Sequence, residues 1–248
     1  MADKTKFIEE LNAKYQPKGE YIVLGKGMLD GEVITEVDVN IPLKTINRHG
    51  LIAGATGTGK TKTLQVFVEQ LSHKGIPTLV MDIKGDLSGI AVEGEQNDKI
   101  NERYAKTKLP YQPQSFPVEF MSISAEKGLK LRATVTEFGP VLLSKILGLN
   151  DTQSSIMSIV FKYADDKGLP LIDLDDLKKT LQYVTDNDEG KKELASNYGA
   201  ISPASLGAIL RSIVALEQQG ATSFFGEPSF DVEDLLQTRG GKGVVNVL

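Results

Sequence analysis

The sequence contains no cysteine and no tryptophan, and only two histidines. Without cysteine there is no disulfide framework, no thiolate metal site and no cysteine nucleophile, and two histidines are too few for a histidine-rich metal site. Long apolar runs are also missing. None approaches the ~20 residues that span a bilayer, and the opening MADKTKFIEELNAKY carries charges where a secretory signal needs an apolar core. The expectation is a cytoplasmic protein with no membrane association. A basic block is absent as well: 28 Lys and Arg stand against 33 Asp and Glu, a formal charge of -5, so composition alone does not announce nucleic-acid binding. Residues 151–195 hold much of the acidity, ten acids against six bases, and read as a solvated helical face. What remains is ordinary globular material. The 248 residues, 40% hydrophobic and 25% charged, suffice for one large domain or one and a half, with a substantial core.

Hydrophobic spacing divides the chain. Phe7, Ile8 and Leu11 predict a short helix that ends before Pro17 and Gly19. Tyr21–Leu24 and Val33–Ile41 read as strands of a small sheet, separated by glycines at 25, 27 and 31. From Gly50 the pattern becomes strand, glycine loop, helix and strand. Leu51-Ile52-Ala53 is a short apolar run, Leu64, Phe67, Val68 and Leu71 share a helical face, and Pro77–Met81 suits a buried parallel strand. Residues 94–117 form a long connection around a helix from about Asp98 to Lys108. Phe120–Ile123 and Leu131–Val135 have strand character, and helices follow. Pro140 opens one, Ile156 to Tyr163 mark another, Asp173 caps a third and Ser202-Pro203 opens a fourth, while Asp231 could cap a last one. Val244–Leu248 returns as a strand. The fold class expected is α/β, a RecA-like P-loop core with a mainly parallel sheet, a small N-terminal β section and a helical insertion. The expected divisions are residues 1–45, 46–137, 138–238 and 239–248, with the chain stopping inside an apolar run as an N-terminal fragment would.

The chemistry lies in Gly54-Ala55-Thr56-Gly57-Thr58-Gly59-Lys60-Thr61, which matches the phosphate-binding loop G-x-x-x-x-G-K-[ST] at every fixed position. Glycine is required because backbone N–H groups must turn inward around phosphates, where side chains would obstruct the approach. The helix N-terminus adds its partial positive charge. Residues 55–62 from Ala55 to Lys62 are therefore the expected nucleotide contacts, with Lys60 bridging the β- and γ-phosphates and the Thr61 hydroxyl ligating Mg²⁺. The competing reading is a plain glycine turn that leads into a helix.

Asp82 ends the strand after the loop helix, at the edge where parallel sheets place ligand groups, and is a second catalytic candidate beside Lys60. It could hold magnesium through water or polarise a nucleophile, or it could simply shape the turn with Lys84-Gly85-Asp86. His49 before the loop has a structural reading as well as a ligand one. Arg132 and Arg211 could act on a neighbouring subunit's phosphates, although a surface ion pair is the commoner fate of a lone arginine. Phe224-Phe225 reads either as a subunit contact or as a local core plug.

The stretch Arg48–Thr61 resembles the HerA/FtsK superfamily of ring-forming motor ATPases, and Met81-Asp82-Ile83-Lys84-Gly85-Asp86-Leu87-Ser88-Gly89 is similar to that superfamily's second strand and D-x-K-G turn. More narrowly, Arg132–Val135, Phe138-Gly139-Pro140 with Leu142-Leu143, and the segments Gln218–Ala221 and Phe225–Pro228 resemble the bacterial YjgR-like group. The resemblance covers nearly the whole chain. It implies a RecA-like ATPase core, ATP with Mg²⁺ as cofactor, ADP as product, homo-oligomeric rings and work on DNA. Such motors also carry an Asp-Glu pair at the end of a later apolar strand and an arginine offered to the adjacent subunit. Neither is found here, and both are expected beyond Leu248. The residues alone leave two further readings open: a small-molecule kinase with Asp82 as base, and a nucleotide-dependent switch without efficient hydrolysis.

Overall fold

The computed structural model describes residues 3–248, which divide into two compact units: the chain up to Phe120 together with Val232–Leu248, and Met121–Asp231. In the first unit, helix α1 (Lys4–Tyr15) starts where the Asp3 carboxylate accepts hydrogen bonds from the N–H groups of Thr5 and Lys6. Strands β1 (Tyr21–Leu29) and β2 (Glu32–Pro42) form an antiparallel hairpin. Its turn, Asp30-Gly31, has both φ values positive (47° and 82°), the conformation whose twist matches the flanking strands. Ile22, Ile34 and Val37 form its buried face, and Gly27 packs closely there, where a Cβ would lie 3.2 Å from the Val37 side chain.

Helix α2 (Lys60–His73) begins directly at the glycine loop, and strand β3 (Thr78–Val80) follows it. Helix α3 (Asp98–Thr107), capped by Asn97, fills the long connection, and strand β4 (Val118–Ser122) closes it. The strand expected at Leu51-Ile52-Ala53 does not form. A strand exists only by pairing its backbone with a neighbour, and these residues have none; Leu51 is 89% exposed.

The second unit is helical. After the two-residue strand β5 (Leu129–Lys130) come α4 (Val135–Ile146), α5 (Asp151–Asp166), α6 (Leu174–Asp186), α7 (Asp188–Asn197) and α8 (Pro203–Gln218). Their starts are written locally: Thr134 with Glu137, and Asn150 with Gln153, form reciprocal capping boxes, and Asp173 does the same with Asp176. Gly139, at φ 78°, breaks α4, so Pro140 opens its second segment rather than interrupting a regular helix. One continuous core, which includes Leu143, Met157, Val160, Leu177, Leu181, Ile209 and Ile213, joins the helices. Each fully buried aliphatic side chain of this kind contributes roughly 1.5–3 kcal/mol through removal from water. Helix α7 escapes the periodicity reading because only Leu194 and Gly190 are buried in it. Gly190 is required: a Cβ there would meet the Tyr183 carbonyl at 2.6 Å.

The chain returns to the first unit with a 3-10 turn at Val232–Leu236, where a cap at Asp231 had suggested a helix. The small hairpin β6 (Thr238–Arg239) and β7 (Lys242–Gly243) leads into β8 (Val245–Val247). Strand β8 lies between β3 and β4 and is parallel to both, with Val245 opposite Thr78 and Val118. The order β3-β8-β4-β5 makes a four-stranded parallel sheet. Helix α2 covers one face of it, where Leu64 and Val68 pack with Val80, Val245, Val247, Leu87, Ile90 and Phe116. At Gly243 a Cβ would fall 2.2 Å from the Ile76 carbonyl group, so only glycine allows the backbones this close. Buried Asn246 is satisfied by donating to the carbonyls of Thr78 and Leu235.

Candidate functional site

The loop between Gly54 and Lys60 is fixed by its own atoms. The Thr58 hydroxyl donates to the Ala55 carbonyl (2.8 Å), as does the Thr58 N–H (3.3 Å), which closes a tight turn. Gly57 and Gly59 adopt φ values of 81° and 97°, a region that side-chain-bearing residues avoid. Gly54 is crowded for a different reason: an added Cβ would lie 2.4 Å from the Thr58 hydroxyl oxygen, which would have to shift.

Helix α2 starts at Gly59 without any side-chain cap, and its first ladder bond runs from the Thr63 N–H to the Gly59 carbonyl. The N–H groups of Lys60, Thr61 and Lys62 therefore stand outside the helical ladder at the positive end of the helix dipole. That is a donor set for an anion, and it lies in an exposed loop. The Lys60 ammonium group folds back over the loop and donates to the carbonyls of Gly54 (2.8 Å) and Ala55 (2.9 Å). Thr61 is exposed and makes no side-chain hydrogen bond among the described residues, so its hydroxyl is open to a ligand. The residues thus suit a phosphate chain that carries Mg²⁺: orphan amides and a lysine for the anion, and one hydroxyl for a cation that keeps most of its oxygen ligands from water and phosphate. No group of three or more His, Asp or Glu among the described residues forms a cage that would hold a metal by itself.

Asp82 follows β3 and faces the turn beyond it. Its carboxylate oxygens accept from the N–H groups of Asp86 (3.1 Å) and Leu87 (2.8 Å), while its own N–H donates to the Leu248 carbonyl (2.6 Å). The side chain therefore organises the turn, with acceptor capacity left on each oxygen. The loop helix and this turn are linked by Gln65, which is 8% exposed. It accepts from the Lys62 ammonium group (2.8 Å) and donates to the Asp86 carbonyl (3.0 Å). Farther along α2, burial raises the Glu69 carboxyl above the usual carboxylate range, against the opposing influence of Lys62.

A profile of the C-terminal region of HerA-like helicases matches residues 29–248 of this sequence. The chain belongs to the HerA-like helicase family. A probable helicase of Methanocaldococcus jannaschii is 35% identical over 78 residues, a match that covers 30% of this chain and 15% of that protein. The chain therefore spans only a small part of that relative's length.

Other residues singled out from the sequence fall into several places. His49 is exposed and, among the described residues, has no side-chain hydrogen-bond partner. Arg132 is committed within its own unit: its guanidinium donates to the carbonyls of Ser223 (3.3 Å) and Glu227 (2.6 Å) and fastens the loop that contains Phe224-Phe225. Arg211 is exposed on α8. Phe225 is 4% exposed and packs edge-on against Phe138 at 5.4 Å, so this aromatic pair plugs the local core. None of the parallel strands ends on an Asp-Glu pair. No helix among the described residues is long and apolar enough to cross a membrane. Sequence reasoning missed Gln65. Its signal was a polar residue on the same helical face as Val68 and Ser72, where an apolar side chain would be the default.

Proposed function

We propose that this HerA-like chain binds ATP together with magnesium at residues 55–62. Three uncapped helical amides, a lysine folded over the same loop and a free threonine hydroxyl converge there, and this convergence carries the reading. Lys60 would exchange its two loop carbonyls for the β- and γ-phosphate oxygens, which requires only a side-chain swing. The Thr61 hydroxyl would supply one magnesium ligand, and Asp82 would reach the same ion through water from the turn it organises. Magnesium, when bound, neutralises charge that develops on the transferred phosphoryl group.

Within this reading the chain is the nucleotide-binding part of an ATPase that cleaves ATP to ADP and phosphate. The HerA-like helicase family and the probable helicase support helicase-type work; DNA as the substrate, a homo-oligomeric ring and a cytoplasmic setting are further parts of the proposal. No strand among the described residues ends on an Asp-Glu pair, so the reading commits first to binding and only then to turnover. The kinase reading, with Asp82 as base, would draw on the same remaining acceptor capacity of that carboxylate, and phosphorylation of a small-molecule substrate would separate it from the ATPase reading.

Titration calorimetry with Mg-ATP tests the assignment. The protein is expected to bind, and Lys60→Ala to lose measurable affinity while keeping its circular dichroism spectrum. Equal affinity in the two proteins would remove the loop from the account.

A further inference from the structure

Two glutamines on α2 reach out of the helix, and they do different things. Gln70 pairs with the backbone of Val23 through both ends of its amide, accepting from the Val23 N–H (2.7 Å) and donating to the Val23 carbonyl. It fills the ladder at the bulge of β1, a structural task. Gln65 instead lies between two groups that belong to the candidate site. Its oxygen holds Lys62, in the helix's first turn beside Thr61, and its nitrogen holds the carbonyl of Asp86, whose N–H in turn holds the Asp82 carboxylate. The turn has a second anchor, because Leu87 is 3% and Ile90 2% exposed in the core beneath it. That apolar anchor fixes the depth of the turn, while a buried hydrogen bond fixes its direction. Among the described residues, no other hydrogen bond runs from an α2 side chain to the Asp82 turn.

We propose that Gln65 is a positioning residue for the magnesium-nucleotide site, setting the Asp82 turn relative to the first turn of the loop helix. The inference rests on the ATP reading given above. Its physical content is that the Thr61 hydroxyl and the Asp82 carboxylate sit on separate elements, and that a shared ion needs their spacing held within tenths of an ångström. The carboxamide accepts from the ammonium with its oxygen and donates to the carbonyl with its nitrogen while staying uncharged, so one side chain bridges the two groups.

The test replaces the donor and keeps the acceptor. Gln65→Glu still receives Lys62 but turns an oxygen toward the Asp86 carbonyl. Gln65→Met removes both bonds at similar volume and serves if the Glu variant folds poorly. Gln70→Met is the structural control on the same helix. ATP affinity is measured by calorimetry with magnesium and with chelator, alongside hydrogen exchange at the Asp86 and Leu87 amides in nucleotide-free protein. Gln65→Glu is expected to lower the ratio of magnesium-loaded to metal-free affinity by about tenfold, the lower end of what outer-sphere partners of a metal contribute. It should also speed exchange at both amides. Gln70→Met should leave that ratio and those amides as in the wild type, even where it lowers the melting temperature. The inference is overturned if Gln65→Glu leaves the ratio unchanged, or if both affinities fall in parallel as in a general loss of stability. Absence of ATP binding in the wild type would instead overturn the ATP reading, and the magnesium role of Gln65 with it. Amide exchange unchanged by Gln65→Glu would overturn the positioning role whatever the nucleotide result.

Discussion

The two units of this molecule are stabilised in contrasting ways. In Met121–Asp231, one hydrophobic cluster draws on α4 to α8, and each of these helices begins at a side-chain cap. In the unit that carries the glycine loop, the cluster under the parallel sheet is much smaller, and the loop itself is held by hydrogen bonds among its own atoms. The helical unit spends its residues on packing. The loop unit leaves donors uncapped and a lysine on carbonyls that a ligand can replace. The proposed site thus sits where the structure leaves donors unsatisfied, as expected for a site that must accept a charged partner.

Substitutions can sharpen that contrast. The largest effect is expected at Ile209, fully buried in the helical core: Ile209→Ala should cost about 2–5 kcal/mol in denaturant unfolding. Its effect on nucleotide affinity at temperatures where the protein stays folded should be small. A loss of affinity that precedes unfolding would mean that the two units do not differ as described.

A smaller and more local effect is expected in the loop. Gly54→Ala places a Cβ 2.4 Å from the Thr58 hydroxyl oxygen and should weaken Mg-ATP binding by roughly 1–3 kcal/mol, the scale of local overpacking. Thr58→Ala removes that oxygen and leaves its Cβ at an ordinary 3.5 Å, so the double variant should recover part of the loss. Additive losses in the double variant would show that the clash is not the cause.

The smallest effect is a pH dependence confined to the helical unit. Burial, reinforced by the hydrogen bond to Glu193 (3.0 Å), pushes the Tyr163 hydroxyl up from 10.0 to about 12. A group whose folded pKa is raised binds its proton more tightly when folded, so its contribution is complete below about pH 10 and is lost as pH rises toward 12. Melting temperatures of the wild type should fall across that window more steeply than those of Tyr163→Phe. Parallel curves would contradict the assignment.

Much of this was legible in the sequence, for reasons that differ between the units. The caps at Asp173 and Ser202 and the 3.6-residue spacing behind them are local signals, and helices α6 and α8 start where those signals place them. The loop motif is also local. Leu51-Ile52-Ala53 misled because apolarity marks a strand only when a partner strand is present, and pairing is not written in three residues. Pro140 was placed correctly at the start of a helical segment, but the break at Gly139 that makes it a start is visible only in the backbone. The sequence allows Asp82 to be a turn former or a ligand, and the structure supplies the turn contacts directly. Gln65 stayed hidden because its meaning depends on Asp86, 21 residues away.

Hydrogen exchange with and without Mg-ATP, read along the whole chain, tests the central claim most directly. Slowed exchange is predicted at residues 54–62 and at the turn 82–87, with the amides of the buried helical core unchanged. Protection that appears in the helical unit, with the loop and the turn unaltered, would contradict the account.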